Sequence, residues 1–263
     1  MEKKFKNWKI GLFMLFFVWM NNSSFAHEPI YGLGPETLPK YMHAIELGRS
    51  FQSGSAMYDL GYGFGITQNW TVRLDAPLVY NSNRLSMGDM RFRTKYALWR
   101  QTEPGVLKRL TAIIAMSIPT ASDNFGENSN ATRVTLGIAN GYESRRWYYF
   151  SDLAYTVKTG GRNEPSVGKL SYNLVGGIRP VKTGYLKPDL VLLVELNGEQ
   201  IGKSKINNSE IAGTGGNTLA IAPGFLLSYR NIMLKGGVQF NVAHTKYIDQ
   251  PAINGLVSLE YHF

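Results

Sequence analysis

The chain of 263 residues carries 28 Lys and Arg against 19 Asp and Glu, with 28 Gly, 15 Tyr and no Cys. Lack of Cys removes disulfide frameworks and thiolate chemistry, and a basic excess spread along the chain argues against a nucleic-acid-binding patch. Heptads, helix-length amphipathic windows and solenoid periods are absent too, which sets aside helical bundles and repeat arrays.

Lys3, Lys4, Lys6 and Lys9 precede the uncharged apolar run Ile10–Met20, a polar Asn21-Asn-Ser-Ser24, and Phe25-Ala26. A basic region, an apolar core and small residues at Ser24 and Ala26 form the pattern of a secretory signal peptide. Eleven apolar residues are too few for the ~20 of a spanning helix. Residues 1–26 are therefore expected to be removed after Ala26. What remains holds 24 basic and 18 acidic residues, or +6. No Pro/Ser-rich linker divides it, so one domain is expected: an irregular lead-in over 27–40, dense in Gly and Pro, then a β domain over 41–263. Thr37–Lys40 is read as its periplasmic entry. A new terminus at His27 offers an amine and an imidazole of the kind that suits copper, but the expected state is a flexible, unligated end, and no cofactor or metal is implied.

From residue 41 onward, segments with the two-residue period of strands recur between turn residues. Tyr41–Phe51 is followed by Tyr58–Ile66, in which Tyr58, Leu60, Tyr62, Phe64 and Ile66 share a face opposite Asp59, Gly61, Gly63 and Gly65. Trp70–Leu78 is apolar at even positions and polar at Thr71, Arg73 and Asp75. Asp89–Leu98 sets Met90, Phe92, Tyr96 and Leu98 against Asp89, Arg91, Arg93 and Lys95. Further strands are predicted near 110–119, 132–142, 147–158, 169–179, 189–198, 218–228, 232–242 and 254–263, twelve altogether, with alternation poorest in 132–142 and 147–158. Ten or fourteen strands are compatible with the same pattern.

The connectors carry a second pattern. Thr67–Asn69, Glu143–Arg145 and Tyr229–Asn231 are tight. The connectors Asn81–Gly88, Thr120–Ala131, Thr159–Gly168, Glu199–Gly216 and Thr245–Ala252 are longer and polar. Short turns on one side and long loops on the other, with strands of ~10 residues alternating apolar-out and polar-in, describe a transmembrane β-barrel. Arg100–Lys108 is an exception, being a long link on the short-turn side. Trp70, Trp99, Trp147 and Tyr261 suit membrane interfaces. In the last strand Val257, Leu259, Tyr261 and Phe263 alternate with Ser258, Glu260 and His262. Closure requires this strand to pair with both the first strand and the one over 232–242, because an open edge in a bilayer leaves backbone groups unsatisfied. The fold class is thus all-β, a single antiparallel barrel of about twelve strands in the bacterial outer membrane.

Several blocks, Leu192–Glu199, Ala222–Tyr229, Gly236–Val242, Met87–Met90 with Lys95-Tyr96, Ser117–Thr120 and His27–Pro35, resemble the bacterial outer-membrane family named for the meta pathway of phenol degradation. The resemblance implies a transporter-like channel without a defined substrate. Its terminal Phe263 is similar to the closing residue of outer-membrane barrels, which implies recognition by the barrel-assembly machinery.

Function is expected on the inward polar face. Arg73, Asp75, Arg91, Arg93, Lys95, Asp152, Glu195, Lys235, Gln239 and Glu260 are the candidate lumen-lining residues. Two arrangements satisfy the charges. They line a water-filled path and set selectivity for small solutes, or they pair internally, with Arg73, Arg91, Arg93 and Lys95 balanced by Asp59, Asp75, Asp89 and Glu46. The first gives a passive channel whose partners are lipid and a small solute; the second gives a closed barrel acting through its loops. A barrel lipid or peptide hydrolase is the third reading. The chain has no Gly-x-Ser-x-Gly elbow and no His-Glu-x-x-His; only His244, beside Ser and Asp in nearby loops, offers a rim site.

Overall fold

In the computed structural model, residues 27–263 are described apart from 53–54, 82–83, 122–130, 160–166, 182–186, 207–208, 247 and 249–250; the leader expected over 1–26 lies outside the described residues. The strands are β1 (His43–Gln52), β2 (Ser55–Gly65), β3 (Trp70–Asn81), β4 (Arg84–Met87), β5 (Met90–Glu103), β6 (Val106–Ile118), β7 (Arg133–Ser144), β8 (Trp147–Lys158), β9 (Val167–Ile178), β10 (Asp189–Ile201), β11 (Lys205–Ile206), β12 (Ser209–Glu210), β13 (Gly216–Tyr229), β14 (Ile232–His244) and β15 (Ile253–His262). β4 continues the line of β5 along the same edge of β3, so the main sheet has twelve staves, while β11 and β12 form a separate ribbon in the β10–β13 loop. Every pairing is antiparallel.

β15 closes the barrel. It pairs with β1 from Ala44↔His262 to Gln52↔Asn254 and with β14 from Ile232↔Tyr261 to Phe240↔Ile253. This leaves neither strand an open edge, as the bilayer demands. Val257 and Leu259 are exposed on the outer wall, while Ser258, Glu260 and His262 are buried inside. The rim where β1 begins and β15 ends is called here the terminal rim, and the opposite one the loop rim.

The expected link over Arg100–Lys108 is instead a hairpin. β5 and β6 extend past the apolar belt, pair down to Glu103↔Val106, and turn at Pro104-Gly105, with Gly105 at φ +78°. Pro fixes the first turn position and Gly accepts the positive φ of the second. Alternation disappears there because Arg100 and Thr102 put polar residues on one face and Gln101 and Glu103 on the other. The long connector on the terminal rim is 179–188, between β9 and β10.

The lead-in departs most from expectation. Residues 27–39 form no strand or helix, yet they enter the barrel from the terminal rim, cross the lumen and return to β1. Thr37 is 2% exposed and Leu38 8%, so the expected periplasmic entry at Thr37–Lys40 is largely inside the wall. The inner surface is also less uniformly polar than alternation implies. Tyr148 and Phe150 of β8, Val175 of β9, Val191 and Leu193 of β10, and Leu226 of β13 point inward around Ile30. This small core explains the weak alternation in 147–158: Tyr148 and Phe150 serve an inner apolar surface while Trp147 and Tyr149 are exposed outside.

Candidate functional site

The lumen is built from two surfaces, the inner wall and the segment threaded through it. Glycines of the wall supply the groove. A Cβ at Gly63 would stand 3.0 Å from Leu38 Cδ1, one at Gly137 would stand 3.2 Å from Leu33 Cδ1, and one at Gly141 would stand 2.7 Å from Pro35 Cγ. Cβ atoms at Gly65 and Gly224 would collide with Pro39 and Ile30. The wall is hollowed where the segment lies. Gly61 makes room for the Arg73 guanidinium, whereas Gly63 and Gly65 make it for the segment.

Toward β1–β5 the site consists of ion pairs. Arg73 bridges Glu46 at 2.6 Å and Asp75 at 2.7 Å, and Lys235 reaches the other Glu46 oxygen at 3.0 Å. Arg93 lies 3.8 Å from Asp75, Arg91 pairs with Asp59, and Arg133 with Asp89 at 3.4 Å. Lys95 donates to Glu28 of the threaded segment at 2.5 Å, and Arg109 pairs with its Glu36. Burial pushes the Glu28 carboxyl up, but Lys95, with Lys235 and Arg73, outweighs burial and holds it at about 2. Leu38 N donates to Thr71 Oγ1 at 2.7 Å, and Thr111 Oγ1 donates to Pro35 O at 2.6 Å.

Toward β8–β10 the chemistry changes. Glu195 accepts the backbone N–H of Ile30 at 2.5 Å and of Tyr31 at 3.0 Å; Asp152 accepts that of Leu33 at 2.9 Å. A ladder of amides adjoins them, with Asn173 donating to Asp152 at 2.6 Å, Asn197 to Asn173 at 2.8 Å, and Gln239 to Asn197 at 3.1 Å. The Tyr31 hydroxyl stands 2.9 Å from Gly237 O and 3.1 Å from Asn254 O. Carboxylates accepting backbone amides make strong, charge-assisted bonds, so a segment without secondary structure is held to the wall at Ile30, Tyr31 and Leu33.

All ten candidate residues therefore face the interior. Arg73, Asp75, Arg91, Arg93, Lys95 and Lys235 join the charged network, Glu260 sits against His262, and Asp152, Glu195 and Gln239 belong to the amide side. Glu28, Glu36, Arg109, Thr71, Asn173 and Asn197 complete the site and were not singled out from the sequence. His27 is not a flexible end: its ring is 4% exposed and faces Glu143 and Ser228. His244, the residue considered for a rim hydrolase, is exposed at the end of β14, and among the described residues no carboxylate is within ion-pair reach of it. Among the described residues no three His, Asp or Glu side chains converge as a metal site.

Solved structures share this architecture. An outer membrane channel from Pseudomonas putida F1 matches at a TM-score of 0.66 and 13% identity, over 87% of this chain and 97% of that one. The NanC porin matches at 0.51 and 10% identity, over 83% and 98%. The fold is that of the outer-membrane barrels. No protein-family model matches the sequence, and no curated protein matches it. The likeness lies in the path of the backbone, and the side chains that fill this lumen are argued from the chain itself.

Proposed function

We propose that the chain is an outer-membrane channel for small solutes, exported by a leader over residues 1–26 and held shut at rest by residues 27–39. The observation that carries this reading is a polar, hollowed inner wall occupied by a non-strand segment joined to it through side chains and hydrogen bonds. A twelve-stranded barrel is wider than the eight strands whose interior side chains fill. The segment occupies that extra width, and no wall pairing has to break for it to leave. The resemblance to the family named for phenol degradation favours small organic solutes, and the fold neighbours are themselves titled a channel and a porin. Lipid covers the apolar outer wall, and β15 with Phe263 is the element offered to the barrel-assembly machinery.

Planar-bilayer recording of the mature chain and of one lacking residues 27–40 in the numbering used here tests the proposal. The intact protein should conduct little, and the shortened one at least tenfold more. The second reading, a closed barrel acting through its loops, draws on the internal pairing of Arg73, Arg91, Glu46 and Asp59. Absence of current from both proteins, when a known porin conducts in the same bilayer, would select it.

A further inference from the structure

His27 sits at the terminal rim in a pocket formed by four strands, β7, β8, β10 and β13. Its backbone nitrogen donates to Glu143 Oε2 at 3.2 Å, and ring Nδ1 stands 3.1 Å from the same oxygen. Nε2 faces Ser228 Oγ at 3.3 Å and Asp189 Oδ2 at 3.6 Å, and the ring packs edge-on to Tyr148 at 5.0 Å. The charges around it do not balance. Three carboxylates meet two arginines: Asp189 is matched by Arg179 at 2.5 Å, while Arg109 pairs with Glu36 and shares its charge with Glu143. For Glu143, the ion-pair partner within 4 Å among the described residues is the His27 imidazole, which is charged only when protonated. A partly buried carboxylate beside a neutral amide and an imidazole is a poor match; beside an ammonium it is a good one.

We propose that the Ala26–His27 peptide bond is the processing site and that the α-ammonium released there is the partner of Glu143, so that leader removal locks the threaded segment into the barrel. A leader peptidase that accepts Ser24 and Ala26 as its small residues adds water across the amide. Ala26 keeps the carbonyl carbon as a carboxylate, the C–N bond breaks, and the His27 nitrogen leaves as an amine and takes up a proton. The atom that donated one neutral N–H to Glu143 now carries a positive charge beside it. In the precursor the same contact is neutral and weaker. Closure is thereby coupled to maturation, whatever solute the barrel passes.

The chain has no Cys, so Leu33→Cys gives a single thiol inside the threaded segment whose labelling by a water-soluble maleimide reports how often the segment leaves its seat. Intact mass of the protein extracted from outer membranes should correspond to a chain beginning at His27; any other start overturns the assignment. The α-amine is then acetylated in urea near pH 6.5, where lysines stay protonated, and the protein is refolded in detergent. Heat-modifiable migration confirms the barrel. Acetylation should raise the labelling rate about tenfold, the size expected for one charge-assisted contact, and Glu143→Gln should raise it similarly. Combining the two should add little to either alone. An acetylated chain that labels no faster than the free amine overturns the proposal, as does full additivity, which would give the ammonium a different partner. If Glu143→Gln does not fold, the mass and acetylation arms still decide.

Discussion

Where the threaded segment faces β1–β6, its carboxylates meet cations: Glu28 meets Lys95 and Glu36 meets Arg109. Where it faces β8–β10 it presents bare backbone, and the wall supplies the acids, Asp152 and Glu195, with an apolar pocket for Ile30. The two sides would behave differently once the lumen empties. On the β1–β6 side Arg73, Glu46, Asp75 and Lys235 keep one another satisfied, while Lys95, Thr71 and Thr111 lose their partners and Arg109 loses Glu36. On the β8–β10 side Glu195 and Asp152 lose their amide donors and must be hydrated or paired with a passing cation, because an uncompensated carboxylate in a dry interior is costly. The first side keeps its own ion-pair core when the segment leaves, and the second is complete only when the segment is bound.

That contrast is best broken at Glu195. Replacing it with Ala strands the Ile30 and Tyr31 amides, two bonds to a charged acceptor at roughly 1.5–3 kcal/mol each. Amide hydrogen exchange in residues 27–39, followed by mass spectrometry, should accelerate a hundredfold or more while β1–β5 keep their protection. Unchanged exchange would show that the ion-pair side holds the segment alone. Lys95→Met comes next. It leaves Glu28 buried beside fewer cations, a change of about 3–5 kcal/mol for a broken buried pair, and adding Glu28→Leu should recover most of the loss. No recovery would mean that the Lys95 stem, rather than its charge, supports the segment. Ile30→Ala follows at about 2–4 kcal/mol, from lost burial and the cavity left between Tyr148, Val191 and Leu226. Its effect should appear in exchange at Ile30 and Tyr31 before it appears at Leu38; uniform acceleration would make the segment one cooperative unit.

The barrel was legible where one rule governed each residue. Trp70–Leu78 and Leu256–Phe263 meet lipid outside and polar groups inside, so a period of two reveals both the strand and its inward set. It failed where a second rule acted. The β5–β6 extension over Arg100–Lys108 carries polar residues on both faces of β5 and shows no period. In β8 the pair Tyr148 and Phe150 serves an inner core, so the two faces look alike. The lead-in was hardest to place, because its Gly and Pro describe only a local absence of helix and strand. Ile30 finds its acceptor 165 residues away, and no local pattern encodes a backbone amide's distant partner. Two clues were present but had no context. Asp152 and Glu195 lay on an inward face without a neighbouring cation, and inward glycines at 63, 65, 137, 141, 224 and 237 left a trail of missing side chains. A carboxylate without a counter-charge, next to a wall lacking side chains, is what a bound backbone leaves in a sequence.

The smallest effect sharpens the contrast through pH. Glu28 has its carboxyl lowered to about 2 from an ordinary 4.5. A group whose folded value is depressed contributes stability that is fully present above the unfolded value and is lost as pH falls through the folded one. The difference in exchange protection between the native chain and Glu28→Gln should therefore stay constant from pH 8 to about 5, then shrink between about 4.5 and 2. Each profile must first be corrected for intrinsic exchange rates. Because both chains keep Asp152 and Glu195, titration on the β8–β10 side cancels in the difference, and what remains belongs to the Glu28–Lys95 contact. A difference already shrinking between pH 8 and 6 would mean that Lys95 does not hold Glu28 ionised, and the β1–β6 side would then have to grip the segment through Thr71 and Thr111 instead.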